Sequence, residues 1–234
     1  MRRFAALLAA DVRLQFRYGL YAVSIAMVLI WGALLGAITQ RVELNSALLV
    51  PPFVTLNLLI TTFYFFAALV LFERADGVLT ALAVTPLRHS EYLLSKALTL
   101  AVLATAETLL IVAFLFGSEP RWALLVAGTL LLSVLFALAG FVAVIRFDSI
   151  NAFLFPSVAA AVLLLLPLLG HFGFIPSLVM VVHPAQPAVA LIAAATSGDE
   201  PRLAPAMIAG AVAWIALLTL FSVREYERFV VRRG

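Results

Sequence analysis

The sequence predicts an all-α integral membrane protein with six transmembrane helices, and three observations carry that prediction. Of its 234 residues, 65% are hydrophobic and 12% are charged, where a soluble domain has about 45–50% and about 25%. Six apolar stretches each reach the roughly 20 residues that cross a bilayer. Together those stretches hold one charged residue, Glu107. The mean hydropathy of +1.16 agrees. This composition excludes a soluble enzyme, a disordered chain and a nucleic-acid-binding module. No nucleic-acid partner is expected. The chain has no cysteine, which excludes disulfides, thiolate metal sites and a cysteine nucleophile.

Residues 1–18 wind as an amphipathic helix. At about 100° per residue, Arg2, Arg3, Arg13 and Arg17 share one arc, and Phe4, Leu7, Leu8, Val12, Leu14 and Phe16 occupy the other. Such a helix lies on a membrane surface with its arginines toward water and lipid phosphates. Membrane lipid is therefore an expected partner. Asp11 falls within the apolar face beside Gln15. Either it reaches sideways to water, or this face meets protein and Asp11 has a polar partner there.

The spans are expected at 19–39, 48–72, 97–116, 123–145, 152–170 and 205–223, within a single transmembrane domain of residues 1–234. Twelve Lys and Arg fall on the side of the termini, and Arg41, Arg121 and Arg202 fall on the other. Basic residues accumulate in the cytoplasm, so both termini, including the tail 224–234, are expected inside a cell (inner or cytoplasmic) membrane. No cleaved signal peptide is expected, because Asp11, Arg13 and Arg17 interrupt the segment after Arg2 and Arg3. Gly32 and Gly36 form a G-x-x-x-G pair, which suits close helix packing and also arises by chance. Pro156 and Pro167 are expected to kink the fifth span.

Between the fifth and sixth spans lies a long segment, His171 to Ala204. Its apolar run Phe172 to Val182 is too short to cross, and Pro176, Pro184 and Pro187 interrupt it. It is expected to be re-entrant or interfacial, or else a frayed extension of the fifth helix.

Segment 73–96 joins the second and third spans. Gly77 permits a break. Leu79, Leu82 and Ala83 then stand at the spacing of a short amphipathic helix. Thr85-Pro86 has the form of a helix start, a Thr N-cap followed by Pro at the first helical position. The third helix is therefore expected to begin before the membrane and run into it unbroken. An ordinary loop is the alternative.

The run Glu73-Arg74, Gly77, Leu79, Leu82, Thr85-Pro86-Leu87, Tyr92-Leu93 and Lys96 resembles the signature of ABC-2 type (type-2 ABC exporter) permeases. The resemblance extends over the whole chain. It implies that Glu73, Arg74, Gly77, Leu79, Leu82, Thr85 and Pro86 couple the membrane part to a separate ABC ATPase subunit. It also implies a second permease copy or a sister permease subunit, and outward movement of a hydrophobic or amphipathic small molecule. One departure is Val78, where that family often has Thr. Within the family, Leu14-Gln15-Phe16-Arg17-Tyr18-Gly19 and Thr85-Pro86-Leu87-Arg88 with Glu91-Tyr92-Leu93 and Lys96 most resemble the fluoroquinolone-export permease group. The haem-export permeases of cytochrome maturation are a similar alternative, but they tend to have Ser-Pro-Leu where this chain has Thr-Pro-Leu.

No phosphate-binding loop is present: Lys96 is the single lysine and no glycine precedes it nearby. ATP and Mg are therefore expected on the partner ATPase, with no cofactor in this chain. His89, His171 and His183 fall at no matching depths on two spans, so no metal or haem site is expected.

Glu107 stands near the middle of the third span, about 15 Å from either end at 1.5 Å per residue. A charge there costs roughly 2.5–3.5 kcal/mol, so it should face protein or a water-filled path. Leu103, Ala104, Leu110 and Ile111 on its own helix are apolar. Asn57 on the second span lies at similar depth, so Glu107 is expected to bond toward Asn57 or to line a substrate path. A packing role is the alternative. Rival functions for the chain are an intramembrane hydrolase or transferase using Glu107 and the histidines flanking Phe172 to Val182, and an assembly protein acting through its tails.

Overall fold

The computed structural model describes residues 2–39, 45–79, 87–117, 120–176, 180–197 and 204–231. Those residues are helical with short connections. We number the helices α1 (Arg2–Arg17), α2 (Leu20–Thr39), α3 (Ser46–Leu58), α4 (Phe65–Ala75), α5 (His89–Phe116), α6 (Trp122–Val144), α7 (Ile150–Leu165), α8 (Pro167–His171), α9 (Gln186–Thr196) and α10 (Ala204–Tyr226). Two π-helical segments, π1 (Leu59–Tyr64) and π2 (Glu227–Val231), continue α3 into α4 and extend α10. Six continuous stretches are long and apolar enough to cross a membrane: Leu20–Ile38, Ala47–Ala75, His89–Phe116, Trp122–Val144, Ile150–His171 and Ala204–Phe229. Each expected span has its counterpart among them.

Lipid tails are as apolar as leucine, so helix association in a bilayer relies on close packing and polar links rather than on hydrophobic burial. The centre of the bundle shows both. α6 is its axis and meets α4, α5, α9, α10 and π1. Small residues let neighbours approach it. At Gly140 an added Cβ would run into the backbone of Phe63 in π1. At Gly128 it would lie 2.8 Å from Ile192 Cγ1 and 3.1 Å from the Ala188 carbonyl oxygen of α9. The close helix packing that Gly32 and Gly36 would suit is not seen at their Cβ positions among the described residues. A Cβ at Gly32 would meet nothing within 4 Å, and one at Gly36 would only touch Phe114 at 4.0 Å.

α2 and α7 are peripheral. α2 packs chiefly on α5 and α1, and α7 on α6 and α8. Their outward faces carry Ile25, Leu29 and Ile30 on α2 and Leu154, Phe155 and Val158 on α7. Pro156 lies inside α7, while the second proline ends it: Leu166 turns and Pro167 opens α8 in a first-turn position. Proline lacks the N–H that a continuing helix would use.

The segment between the fifth and sixth spans holds its helix later than expected. The described part of the apolar run Phe172 to Val182 is mostly turns, and the inserted helix is α9, at Gln186–Thr196. Ala188, Val189, Leu191, Ile192 and Ala195 bury its inner face against α3, α6 and α10. Its alanines allow that depth.

Helix α1 and the close of α10 lie at one end of the bundle. There α1 packs along the start of α5, and Tyr226 at the close of α10 is buried against His89, Tyr92 and Phe141. We call this the basic end.

Candidate functional site

The polar residues of the basic end converge on Lys96. Its Nζ donates to Asp11 Oδ1 of α1 at 2.8 Å and to Glu73 Oε1 of α4 at 2.8 Å. The lysine and Glu73 side chains are 0% and 3% exposed. The remaining carboxylate oxygens are also served. Ser95 Oγ donates to Asp11 Oδ2 at 2.5 Å, and the Tyr92 hydroxyl donates to Glu73 Oε2. One turn further along α5, Gln15 Nε2 donates to Thr99 Oγ1 at 2.7 Å. Asp11 and Gln15 therefore meet protein, and Asp11 has its polar partner there, while Val12 and Phe16 of the same face stay exposed. One buried cation between two buried carboxylates holds α1, α4 and α5 as a block. Removing one partner of such a set leaves an uncompensated charge, which costs several kcal/mol.

Arg74, the neighbour of Glu73, points the other way. It donates to the carbonyls of Phe147 and Ile145, the latter at 2.8 Å, and to Asp148 Oδ1 at 2.9 Å. These carbonyls follow the last turn of α6, where backbone acceptors lack helical partners and a cation is favoured. The expected coupling pair is thus committed within the subunit: Glu73 ties α4 to α5, and Arg74 ties α4 to the end of α6. Gly77 has φ +72°, a left-handed conformation that stops the helix after Ala75. Beside it, Asp76 accepts from the Tyr18 hydroxyl at 2.6 Å and from Arg17 at 3.1 Å. Burial and the facing Asp76 carboxylate raise the pKa of the Tyr18 phenol.

Leu79 is 3% exposed and belongs to the core. Leu82, Thr85 and Pro86 lie outside the described residues. The expected helix start at Thr85-Pro86 is corrected on its later side. Leu87 and Arg88 are not helical, and α5 starts at His89 with Arg88 as N-cap and the Glu91 carboxylate accepting from the Arg88 N–H at 3.3 Å. Glu91 suits that place because a carboxylate near a helix N-terminus satisfies a free N–H and faces the positive end of the dipole.

Glu107 and Asn57 are both buried in the bundle but do not bond to each other. Asn57 Nδ2 donates to Thr108 Oγ1 at 3.1 Å, one residue beyond Glu107. The Glu107 side chain turns instead to α2, where Ser24 is its polar neighbour. Neither carboxyl oxygen makes a hydrogen bond among the described residues, and neither does Ser24 Oγ. The two histidines flanking Phe172 to Val182 are engaged with backbone. His171 Nε2 faces the Leu48 carbonyl at 3.2 Å, and His183 Nε2 faces the Leu163 carbonyl at 2.9 Å. His183 Nδ1 accepts from the Ala185 N–H at 3.2 Å. That fixes Nε2 as the protonated nitrogen.

Sequence reasoning did not foresee the Arg146–Glu225 pair at 3.0 Å between the ends of α6 and α10, nor the stacking of His89 on Tyr226 at 4.6 Å. A signal existed for the first. Glu225 stands two residues past the end of the sixth span, near the depth where Arg146 follows the fourth.

Six described helical stretches long and apolar enough to cross a bilayer define a multi-pass membrane protein. The chain belongs to the fluoroquinolones export permease protein family, whose model matches residues 2–234. Among its relatives are the fluoroquinolones export permease proteins of two Mycobacterium tuberculosis strains, CDC 1551 / Oshkosh and ATCC 25618 / H37Rv. Each is 28% identical over 240 residues, covering 100% of this chain and 99% of the relative. No solved structure gives a significant match. The protein is a multi-pass membrane permease of an export system.

Proposed function

We propose that this chain is the membrane half of an ATP-driven exporter that moves an amphipathic small molecule of fluoroquinolone type outward. A separate ABC ATPase hydrolyses ATP on the cytoplasmic face, which is the basic end. A second copy of the chain, or a sister permease, completes the pathway in the cell membrane. Segment 73–96 receives the motor. The observation that supports this reading is the Lys96 pair of ion bridges, which joins α4 and α5 on both sides of that segment and α1 beside them. A push on the segment would reach all three helices together, because a buried, fully bonded ionic set resists shear between them. The family supplies the export function, and the relatives' names supply the substrate class.

The test is reconstitution. The permease is co-expressed with a candidate ABC ATPase subunit from the same organism, and ATP-dependent uptake of norfloxacin into inverted vesicles is measured. Uptake that requires both chains and ATP supports the proposal. Uptake driven by a proton gradient without the ATPase, or no association between the two chains, overturns it.

A further inference from the structure

Between α2 and α5, on the side of Glu107 away from the basic end, lies an apolar pocket of about 480 Å³. Val28, Gly32 and Ala33 of α2 line one wall, and Leu110, Ile111 and Phe114 of α5 line the other. Its size is that of a site for a drug-sized molecule. The pocket continues two helical stripes. Glu107 precedes Leu110, Ile111 and Phe114 at i+3, i+4 and i+7, and Ser24 precedes Val28 and Gly32 at i+4 and i+8, so both polar residues lie on the stripes that lead into the pocket, about one turn toward the basic end and outside its lining.

Glu107 is 3% exposed and its two oxygens have no hydrogen-bond partner among the described residues. A buried carboxyl with the Ser24 hydroxyl as its polar neighbour is costly, and it becomes favourable when a cation reaches it. The ring of Phe114 adds an aromatic surface, which also attracts cations. α2, the cover over Glu107, is exposed along most of its length and packs chiefly on α5 and α1. It is the span whose displacement disturbs the fewest neighbours.

From these observations we infer that the α2–α5 pocket binds amphipathic organic cations, with the apolar body between Val28 and Phe114 and the positive charge paired to Glu107. This rests on the exporter reading above and specifies the charge of the molecule it takes. Gly32 is a wall position with room beside it, since a side chain there would meet no described atom within 4 Å of its Cβ.

The test uses the full-length permease in detergent, without ATP or ATPase, so that its outcome is separate from that of the transport experiment. Equilibrium dialysis measures binding of tetraphenylphosphonium, with neutral triphenylmethanol as the uncharged comparison. Wild type should bind the cation at least tenfold more tightly than the neutral probe. Glu107→Gln should lose at least tenfold for the cation and change the neutral probe less than twofold. Gly32→Leu, which fills the pocket and keeps the carboxylate, should weaken both. Wild-type affinity for tetraphenylphosphonium in either variant overturns the inference, as does equal binding of the two probes by wild type. If Glu107→Gln folds poorly, Gly32→Leu with an unchanged melting temperature decides the matter alone.

Discussion

Lys96 Nζ lies 2.8 Å from Glu73 Oε1, and both side chains are almost completely sealed from solvent. The bridge joins residues on either side of the segment between the second and third spans. Lys96→Met leaves two buried carboxylates facing each other and should cost about 3–5 kcal/mol. It should be worse than the triple variant Asp11→Asn, Glu73→Gln, Lys96→Met, which removes all three charges. Melting temperatures of the purified permease in detergent check this order. A triple variant less stable than Lys96→Met would contradict it.

Arg74 offers a comparison between buried and exposed partners. Its bonds to the carbonyls after α6 are partly buried, while Asp148 is 94% exposed. Exposed ion pairs contribute little. Asp148→Ala should therefore change stability by less than about 0.5 kcal/mol, and Arg74→Ala should cost about 1.5–3 kcal/mol, the range for bonds made by a charged donor. Equal effects in thermal unfolding would show that the carbonyls do not depend on Arg74.

Two glycines should respond oppositely to alanine. Gly140 has the Phe63 backbone against it, so Gly140→Ala should cost about 1–3 kcal/mol by overpacking. Gly32 faces open space, so Gly32→Ala should be neutral or stabilising by up to about 1 kcal/mol through helix propensity. Melting temperature distinguishes them directly.

His183 predicts a pH response in the segment before α9. Burial lowers its pKa below the ordinary 6.5, outweighing the hydrogen bond to the Leu163 carbonyl, which raises it. The unfolded imidazole thus binds a proton at a higher pH than the folded one. Stability from this residue is fully present above about pH 6.5 and is lost as pH falls below it. Once divided by the intrinsic base-catalysed rate, hydrogen-exchange protection of residues 183–197 should be lower at pH 5.5 than at pH 7.5, and His183→Gln should remove that difference. An unchanged difference in the variant would point to another titrating group.

The orientation is open to labelling. Cysteine at Ser197, just after α9, should react with an impermeant thiol reagent on intact cells, and cysteine at Ser90, in the first turn of α5, should react only once the inner face is opened. Reaction of Ser90→Cys from outside would reverse the membrane sidedness and place the motor elsewhere.

What the sequence by itself determined was what local pattern controls. Spans follow from unbroken apolar length, so all six were legible. The break at Gly77 followed from a residue that tolerates positive φ. The polar face of α1 was legible from helical periodicity, and so was the anomaly of Asp11 within its apolar side. The family resemblance rested on short motifs and held over the full chain. What only the tertiary structure decided was which polar groups meet. Asp11 and Lys96 stand 85 positions apart, and nothing in either local pattern specifies that α1 lies on α5. The same holds for Asn57, which matched Glu107 in depth but faces Thr108, because depth along a span does not fix rotation about its axis. Helix α9 stood in a stretch where the apolar run Phe172 to Val182 was the stronger signal, yet alanine-rich residues 186–196 were the ones able to approach Gly128 closely. Length and composition set what must leave water. The rotation and contact of each helix depend on where small residues and paired charges allow two backbones to meet, and that is a property of the assembled bundle.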